Sequence, residues 1–290
     1  MKSLLPLALG LSLAFTQLTS TASAEILVKN GDKIAFLGDS ITAGGWSNAA
    51  GYVRLVIAGL EANGVKAEPI PAGISGHKSD QMLARLDKDV ISKKPQWMTL
   101  SCGVNDVWHG AKGVPLDDAM AANGTYDATV GTRGTYKKNI TEIVDKAQAA
   151  GIKVVMLTAT VIREQLDNKE NGQLAPYNDF LRSLAKDKKL PLADLNAMFQ
   201  EKIKAANQPG KNAFTVDGVH MNAEGNKIMA TGILKAFGLS DAQLAKANEA
   251  WGPLAAKAAA DAKAAAEAKA AADAAKKAAA TPAVPAPAAK

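Results

Sequence analysis

The chain has 290 residues, and its hydrophobic content of 48% is that of a globular protein with a substantial core, which excludes disorder throughout. The formal net charge is +6, but the segment from Lys257 onward carries six lysines and three acidic residues, so half of the excess lies outside the predicted domain. No cluster of basic residues with interleaved aromatics occurs inside that domain, and we therefore expect no nucleic-acid partner.

The N-terminus has the features of a secretory signal. Lys2 precedes a mostly apolar run, Leu4–Leu18, which is too short to span a bilayer, and Ala22-Ser23-Ala24 fits an A-x-A cleavage site. We therefore predict that residues 1–24 are a signal peptide and that the protein is exported, to the periplasm or outside the cell. Cys102 is the only cysteine, so the exported protein has no internal disulfide.

Short apolar runs alternate with amphipathic stretches through the central part of the chain. The apolar runs predict strands at Ile34–Leu37, Ala67–Pro71, Trp97–Cys102, Lys153–Ala159 and Leu192–Asp194. The amphipathic stretches predict helices at Ala49–Ala62, Ser79–Ile91, Thr135–Ala150, Ala175–Lys188, Leu195–Ala206 and Asn222–Phe237. Continuous apolar strands that alternate with helices favour the α/β class, with a five-stranded parallel sheet inside a three-layer α/β/α sandwich. We assign this domain to residues 25–250.

Two segments depart from the alternation. Residues 111–133 are rich in Gly, Ala and Thr and long for a loop, and the sequence leaves open a lip over a ligand site or a neutral surface insertion. Residues 251–290 form a low-complexity tail of Ala, Lys and Pro, which predicts a solvated helix without an apolar face, followed by an extended end. A spacer is the favoured role of the tail, and weak contact with an anionic envelope polymer through its lysines is the alternative. Because no long apolar or basic amphipathic helix occurs, we expect no stable membrane insertion.

Polar residues follow the predicted strands, where ligands bind in a parallel sheet. Asp39-Ser40 follows the first strand, and Asp217 precedes His220 by three residues. A loop with that spacing can turn the carboxylate toward one imidazole nitrogen while the other nitrogen faces a serine, as ester hydrolysis through a serine requires. The G-x-S-x-G elbow of the α/β-hydrolases is absent from the chain.

Four short motifs together resemble the blocks of the SGNH, or GDSL-type, hydrolase family. They are G-D-S at 38–40, Gly73 after the second strand, G-x-N-D at 103–106 and D-x-x-H at 217–220, in the order typical of the family. The resemblance covers about residues 30–238 and implies a flavodoxin-like sandwich carrying a serine esterase that needs no cofactor.

The resemblance also implies roles for individual residues. Ser40 is the expected nucleophile, His220 the base and Asp217 its orienting partner. The oxyanion hole is expected from the N–H groups of Ser40 and Gly73 and from the side chain of Asn105. Family members often have Asn where this chain has Pro71, so the support of the Gly73 loop must differ here.

The same residues allow other interpretations. Ser40 alone fits a helix N-cap, and Cys102 fits either an inert buried thiol or a nucleophile beside His220. A zinc site is disfavoured, because the chain has no H-E-x-x-H and no paired cysteines. Asp39 is expected to be a hydrogen-bonding residue of its turn. The candidate substrate-lining residues are Asp39, Trp46, His77, Trp108 and His109.

The sequence therefore predicts a secreted or envelope serine ester hydrolase that acts through an acyl-Ser40 intermediate. The predicted export and the activities typical of the resembled family favour removal of acetyl groups from a carbohydrate, either a small molecule or a polysaccharide. A lysophospholipase, a short-chain carboxylesterase or a thioesterase is the alternative within the class. A non-catalytic envelope binding protein, attached through its tail, is the alternative of another class.

Overall fold

The computed structural model describes residues 25–124, 126, 134–208 and 210–279, and its centre is a five-stranded parallel sheet. The strands are β1 (Lys33–Gly38), β2 (Glu68–Gly73), β3 (Trp97–Ser101), β4 (Lys153–Leu157) and β5 (Leu192–Ala193), in the spatial order β2-β1-β3-β4-β5. All four neighbouring pairs are parallel. The predicted fold class is confirmed, and each strand ends within two residues of its predicted bounds. The predicted signal peptide lies outside the described residues.

Helices cover the sheet in two groups. In the described part of the chain they are α1 (Ser40–Ser47), α2 (Tyr52–Ala62), α3 (Ser79–Asp89), α4 (Val104–Trp108), α5 (Asp118–Ala121), α6 (Tyr136–Ala149), α7 (Lys169–Asp187), α8 (Leu195–Ala206), α9 (Ala223–Ala236), α10 (Asp241–Ala250) and α11 (Gly252–Ala279). One group joins α3, α6 and α7, and the other joins α2, α8, α9 and α10. The sheet lies between them, which gives the three layers.

The burial of the strands explains their sequences. Ile34 to Leu37 of β1 and Trp97 to Ser101 of β3 are buried along their whole length, because helices cover both faces of the central strands. The edge strand β2 is partly exposed and contains Pro69 and Pro71, which an edge strand tolerates because it has one side without a partner strand. Because β1 is paired in parallel with both β2 and β3, the carboxyl ends of these three strands meet at one edge of the sheet.

Some helix bounds differ from the prediction. The predicted helix Ala49–Ala62 begins at Tyr52, because the chain turns at Asn48, whose side chain accepts a hydrogen bond from the Ala50 N–H at 2.8 Å. The short α1 was not predicted, since two glycines leave it with little helical propensity. Helix α7 begins at Lys169 instead of Ala175, because the side chain of Asn168 caps it.

The tail is not wholly solvated. Helix α10, which was not predicted, leads to Trp251, a buried residue whose Nε1 donates to the Leu55 carbonyl at 2.8 Å. Leu254 and Ala258 in the first turns of α11 pack against the core, so the expectation that the tail has no apolar face is wrong for these turns. Residues 259–276 of α11 are exposed. Within the described residues, no helix is long and apolar enough to cross a membrane.

The segment 111–133 is partly ordered against the domain. A 3₁₀ turn, Gly110–Lys112, and α5 lie in its first half, and Val114 and Leu116 are buried. Apolar burial therefore anchors this half of the insertion. Residues 125 and 127–133, on which a lip over the site would depend, lie outside the described part.

Candidate active site

Three side chains from the two ends of the domain form a hydrogen-bonded series. Ser40 is the first residue of α1, and its Oγ lies 2.8 Å from Nε2 of His220. Nδ1 of the same imidazole lies 2.6 Å from Oδ2 of Asp217. The first distance suits proton transfer from the hydroxyl to the imidazole, and the second suits a carboxylate that orients this base.

The loop that carries Asp217 and His220 fixes the state of the carboxylate. Its Oδ1 accepts hydrogen bonds from the N–H groups of Val219 at 3.0 Å and His220 at 2.8 Å. Burial acts to raise the pKa of Asp217, but the hydrogen bonds from His220 and Val219 outweigh burial and lower the pKa below its usual value. Because an ionised carboxylate only accepts, Nδ1 of His220 carries the hydrogen and Nε2 is free to accept the Ser40 proton.

Glu164 supports this loop and was missed by the sequence analysis. Its carboxylate accepts hydrogen bonds from the N–H groups of Ala213, Phe214 and Thr215 at 2.7 to 2.8 Å, and from the Thr215 hydroxyl at 2.7 Å. The neighbouring Arg163 N–H donates to the Gly218 carbonyl at 2.6 Å. The available signal was the position of these polar residues after β4, at the same edge of the sheet as the motifs.

Asp39 caps α1 from a buried position. Its Oδ1 accepts from the Ile41 N–H at 2.9 Å, and its Oδ2 lies 3.4 Å from Nδ2 of Asn105. Burial raises the pKa of Asp39 to about 6. The interpretation of Ser40 as the N-cap is wrong, because Asp39 has that role and the Ser40 hydroxyl faces His220 instead.

The three residues predicted for the oxyanion hole come to the same edge. Gly73 ends β2 beside Gly38, and a Cβ at position 73 would lie only 2.3 Å from the backbone nitrogen of Ala43 in α1. Asn105 lies in α4 and is buried, with Nδ2 donating to the His77 carbonyl at 3.2 Å. As the first residue of a helix, Ser40 has an N–H without a partner inside that helix.

Both candidate histidines contact the same amide. Nε2 of His109 lies 3.2 Å from Oδ1 of Asn105, while Nδ2 of Asn105 donates to the His77 carbonyl. Burial, with a smaller contribution from Arg85, lowers the pKa of His77, and burial together with Lys78 lowers that of His109. The lowered pKa values favour the neutral imidazole in both residues near pH 7. The two contacts, one from the His77 carbonyl and one from the His109 ring, orient the Asn105 amide.

The two candidate tryptophans differ in their surroundings. Trp46 is held by Arg54, whose guanidinium lies 4.2 Å from its ring centroid and whose Nε donates to its carbonyl. Trp108 is 40% exposed and lines a cavity of about 490 Å³ together with Gln173 and Pro176. That cavity is not lined by Ser40 or His220.

A smaller cavity lies at the serine itself. Its volume is about 220 Å³, and Ser40, Ile41, Gly44, His220 and Met221 are among the residues that line it. The smaller cavity, and not the larger one, therefore contains the reactive groups.

Cys102 belongs to a separate buried pair. Its Sγ donates to Oδ2 of Asp106 at 3.4 Å, and burial raises the pKa of the thiol well above its usual value. Asp106 also accepts from the Ser79 N–H at 3.0 Å, which ties α4 to α3. The thiol is thus protonated and engaged with Asp106, which removes the support for Cys102 as the nucleophile. Among the described side chains, no three of His, Cys, Asp and Glu are grouped to hold a metal ion.

A parallel α/β/α sandwich with hydrogen-bonded Ser, His and Asp at the carboxyl edge of its sheet defines a serine-type hydrolase. Residues 36–228 match the GDSL-like lipase/acylhydrolase family, and the chain belongs to that family. It is a serine hydrolase that acts on ester bonds, as the sequence predicted.

Several of the similar proteins are acetylxylan esterases. The chain is 32% identical to an acetyl xylan esterase of known crystal structure, AlAXEase, over 70% of this chain and 98% of that one, with a TM-score of 0.58. It is 25% identical over 225 residues to an acetylxylan esterase of Geobacillus stearothermophilus. That match covers 73% of this chain and 96% of the relative. The crystal structure of Axe2, an acetylxylan esterase from that organism, is 24% identical to this chain, with a TM-score of 0.59. The match covers 74% of this chain and 97% of the Axe2 chain, and it supports the fold alone.

Proposed function

We propose that this protein is an exported esterase that removes acetyl groups from carbohydrate through an acetyl-Ser40 intermediate. The observation that carries the proposal is the hydrogen-bonded series from Asp217 through His220 to Ser40, at 2.6 and 2.8 Å. It supplies a nucleophile, a base and an orienting carboxylate in contact with one another.

The proposed reaction has two steps. Nε2 of His220 takes the Ser40 proton while Oγ attacks the ester carbonyl. As the bond from the acyl carbon to the sugar oxygen breaks, the same imidazole gives that proton to the sugar oxygen, which leaves as a hydroxyl. The acetyl group remains on Ser40. A water molecule then gives a proton to His220 and attacks the acyl carbon, after which Ser40 is reprotonated and acetate leaves. Asp217 holds the imidazole and stabilises its charged form.

The oxyanion of each step is proposed to bind three donors. These are the backbone N–H groups of Ser40 and Gly73 and one N–H of the Asn105 side chain. The contact between Asn105 and Asp39 is long, at 3.4 Å, and is the one that an oxyanion would replace.

The size of the cavity at Ser40 supports a short acyl group. Its volume of about 220 Å³ lies below the range of about 300 to 1,000 Å³ typical of sites for drug-sized ligands. A long acyl chain fits this space poorly, which disfavours the lysophospholipase alternative. The names of the relatives favour acetyl esters of a carbohydrate.

The cavity beside Trp108 is the proposed site for the sugar chain. Trp108 follows Asn105 by three residues on α4, so the two lie about 4.5 Å apart along the helix axis. An exposed indole next to polar side chains suits a sugar ring, which stacks through its C–H face and hydrogen-bonds through its hydroxyls.

The activity is tested with p-nitrophenyl esters from acetate to palmitate and with acetylated xylo-oligosaccharides. The protein from Glu25 to Lys290 is expected to prefer acetate and to release acetate from the oligosaccharides. Ser40→Ala is expected to lower kcat by about 10⁵- to 10⁶-fold, whereas Ser92→Ala, which changes an exposed serine, leaves it unchanged. Preference for palmitate would contradict deacetylation. Failure to hydrolyse any of the esters would favour the binding-protein alternative.

Export is tested separately from the reaction. Mass spectrometry of the protein from the cell envelope and the medium is expected to show a mature N-terminus at Glu25. A protein that retains residues 1–24 and stays in the cytoplasm would contradict the proposed localisation without bearing on the activity.

A further inference from the structure

Arg85 is a buried arginine that faces main-chain carbonyl groups instead of solvent. It lies in α3 and is 9% exposed. Its Nη2 donates to the Gly38 carbonyl at 2.8 Å, its Nη1 to the Ala72 carbonyl at 2.9 Å, and its Nε to Nδ1 of His77 at 3.1 Å. Its ion-pair partner is Asp89, one helical turn away, at 3.0 Å.

Each of these three contacts lies next to one proposed oxyanion donor. Gly38 precedes Ser40 by two residues, and Ala72 directly precedes Gly73. The carbonyl of His77 accepts the Nδ2 hydrogen of Asn105. One planar guanidinium therefore contacts the segments that carry the Ser40 and Gly73 donors, and it is linked to Asn105 indirectly, through His77.

We propose that Arg85 is a positioning residue that sets the spacing of the three oxyanion donors relative to one another. The inference rests on the serine mechanism proposed above, but not on the carbohydrate preference. Arginine suits this role because its donors are fixed in one plane, so it imposes both a distance and a direction on its acceptors.

The edge strand explains why such a link is needed. Pro69 and Pro71 of β2 have no N–H to donate, which limits the backbone hydrogen bonds available near its carboxyl end. Arg85 connects the last residue of β1 to the penultimate residue of β2 with one hydrogen bond each. It thereby supports the start of the Gly73 loop.

The charge of Arg85 is engaged within the protein. Asp89 balances it, and the lowered pKa of His77 keeps that imidazole neutral, so that Nδ1 can accept the Nε hydrogen. The guanidinium thus acts through the backbone of the loops and not by contact with the substrate.

The test compares kcat, KM and thermal stability in Arg85 variants with p-nitrophenyl acetate as substrate. Arg85→Ala is expected to lower kcat by about 10²-fold, the effect of displacing a catalytic group by about 1 Å, with KM within about threefold. Arg85→Lys also stays well below the wild type, because one ammonium cannot reproduce the planar set of donors. Added guanidinium ion is expected to restore part of kcat in Arg85→Ala and none in Ser40→Ala.

Two control variants separate positioning from stability. Asp89→Asn removes the ion pair but leaves the carbonyl contacts, and Arg182→Ala removes an arginine that instead binds Asp179 and Asp194. Both are expected to keep kcat within about threefold.

Several results would overturn the proposal. One is a folded Arg85→Ala with kcat within about threefold of the wild type, and another is a rise in KM with kcat unchanged. A fall in kcat that Asp89→Asn and Arg182→Ala share in proportion to lost stability would also overturn it. Where Arg85→Ala does not fold, Arg85→Lys decides by the same criteria. An active Ser40→Ala would instead refute the serine mechanism itself.

Discussion

The Glu164 carboxylate accepts two hydrogen bonds from Thr215, one from its backbone N–H and one from its hydroxyl, each at 2.7 Å. The same carboxylate accepts from the N–H groups of Ala213 and Phe214. The loop after β4 therefore holds the segment that leads into Asp217 and His220, so the base of the proposed mechanism depends on a residue that does not contact it.

Glu164→Ala is expected to destabilise the protein and to slow the reaction. It leaves three backbone N–H groups and a hydroxyl without their acceptor, which costs about 2 to 3 kcal/mol of unfolding free energy, and it frees the loop that carries His220. We expect kcat to fall at least about tenfold. Urea unfolding and p-nitrophenyl acetate hydrolysis measure the two effects. Glu142→Ala, which removes only an exposed ion pair with Lys146, is expected to change stability by at most about 1 kcal/mol; equal losses in both variants would contradict the role of Glu164.

Asp39→Asn is expected to change the pH dependence of stability. Burial raises the pKa of Asp39 from 3.8 to about 6, so between these values the folded protein holds a proton that the unfolded chain releases. The unfolding free energy of the wild type therefore falls, relative to the variant, by about 3 kcal/mol as the pH rises from about 4 to about 7. Asn caps a helix as well as Asp does, so the variant removes the charge and keeps the cap. Unfolding curves at a series of pH values measure the difference, and parallel stability profiles would refute it.

Gly73→Ala is expected to impair the site through a steric effect. The added Cβ would lie 2.3 Å from the backbone nitrogen of Ala43, so the end of β2 and α1 must move apart. We expect about 1 to 3 kcal/mol of destabilisation and a fall in kcat of about 10²-fold. Gly172→Ala is the matched control, because nothing lies within 4 Å of a Cβ there, and it should stabilise α7 by up to about 1 kcal/mol. Full activity of Gly73→Ala would exclude a need for close packing at this position.

Trp108→Ala is expected to weaken the binding of oligosaccharide without affecting a small ester. Loss of a stacking contact raises KM for acetylated xylo-oligosaccharides by about 2- to 10-fold, while kinetics with p-nitrophenyl acetate stay the same. Trp108→Phe keeps an aromatic face and should retain most of the affinity. An equal effect on both substrates would place the sugar chain elsewhere.

Truncation of the tail is expected to have an effect that depends on where the chain ends. Removing residues 251–290 deletes the buried Trp251 and its hydrogen bond to Leu55, and should cost about 3 to 5 kcal/mol of unfolding free energy. Removing residues 260–290 keeps Trp251, Leu254 and Ala258 and should change neither thermal stability nor turnover. If the longer truncation is equally stable, the domain ends at Ala250 as the sequence predicts.

The sequence predicted the sheet, which the structure confirms, and it predicted which candidate site residues lie at the edge of that sheet. Strands buried on both faces, such as β1 and β3, are mostly apolar runs, and the parallel arrangement brings whatever follows them to one edge. Short motifs at 38–40 and 217–220 therefore predicted Ser40, Asp217 and His220 as site residues, and the structure brings their side chains within hydrogen-bond distance. The helix α1 gave no such signal, because its glycines and the turn at Asn48 remove both propensity and periodicity.

What the sequence by itself determined is the set of elements and the motifs at their ends, because hydrophobic period and local spacing record them along the chain. What only the tertiary structure decided is which distant groups hold those motifs in place. Arg85 lies 47 residues from the Gly38 carbonyl that it binds, and Glu164 lies 51 residues from Thr215. Nothing in the local sequence marks such pairs, because a side chain that bonds to main-chain atoms can meet any residue type, and the contact exists only once the strands and loops have packed together.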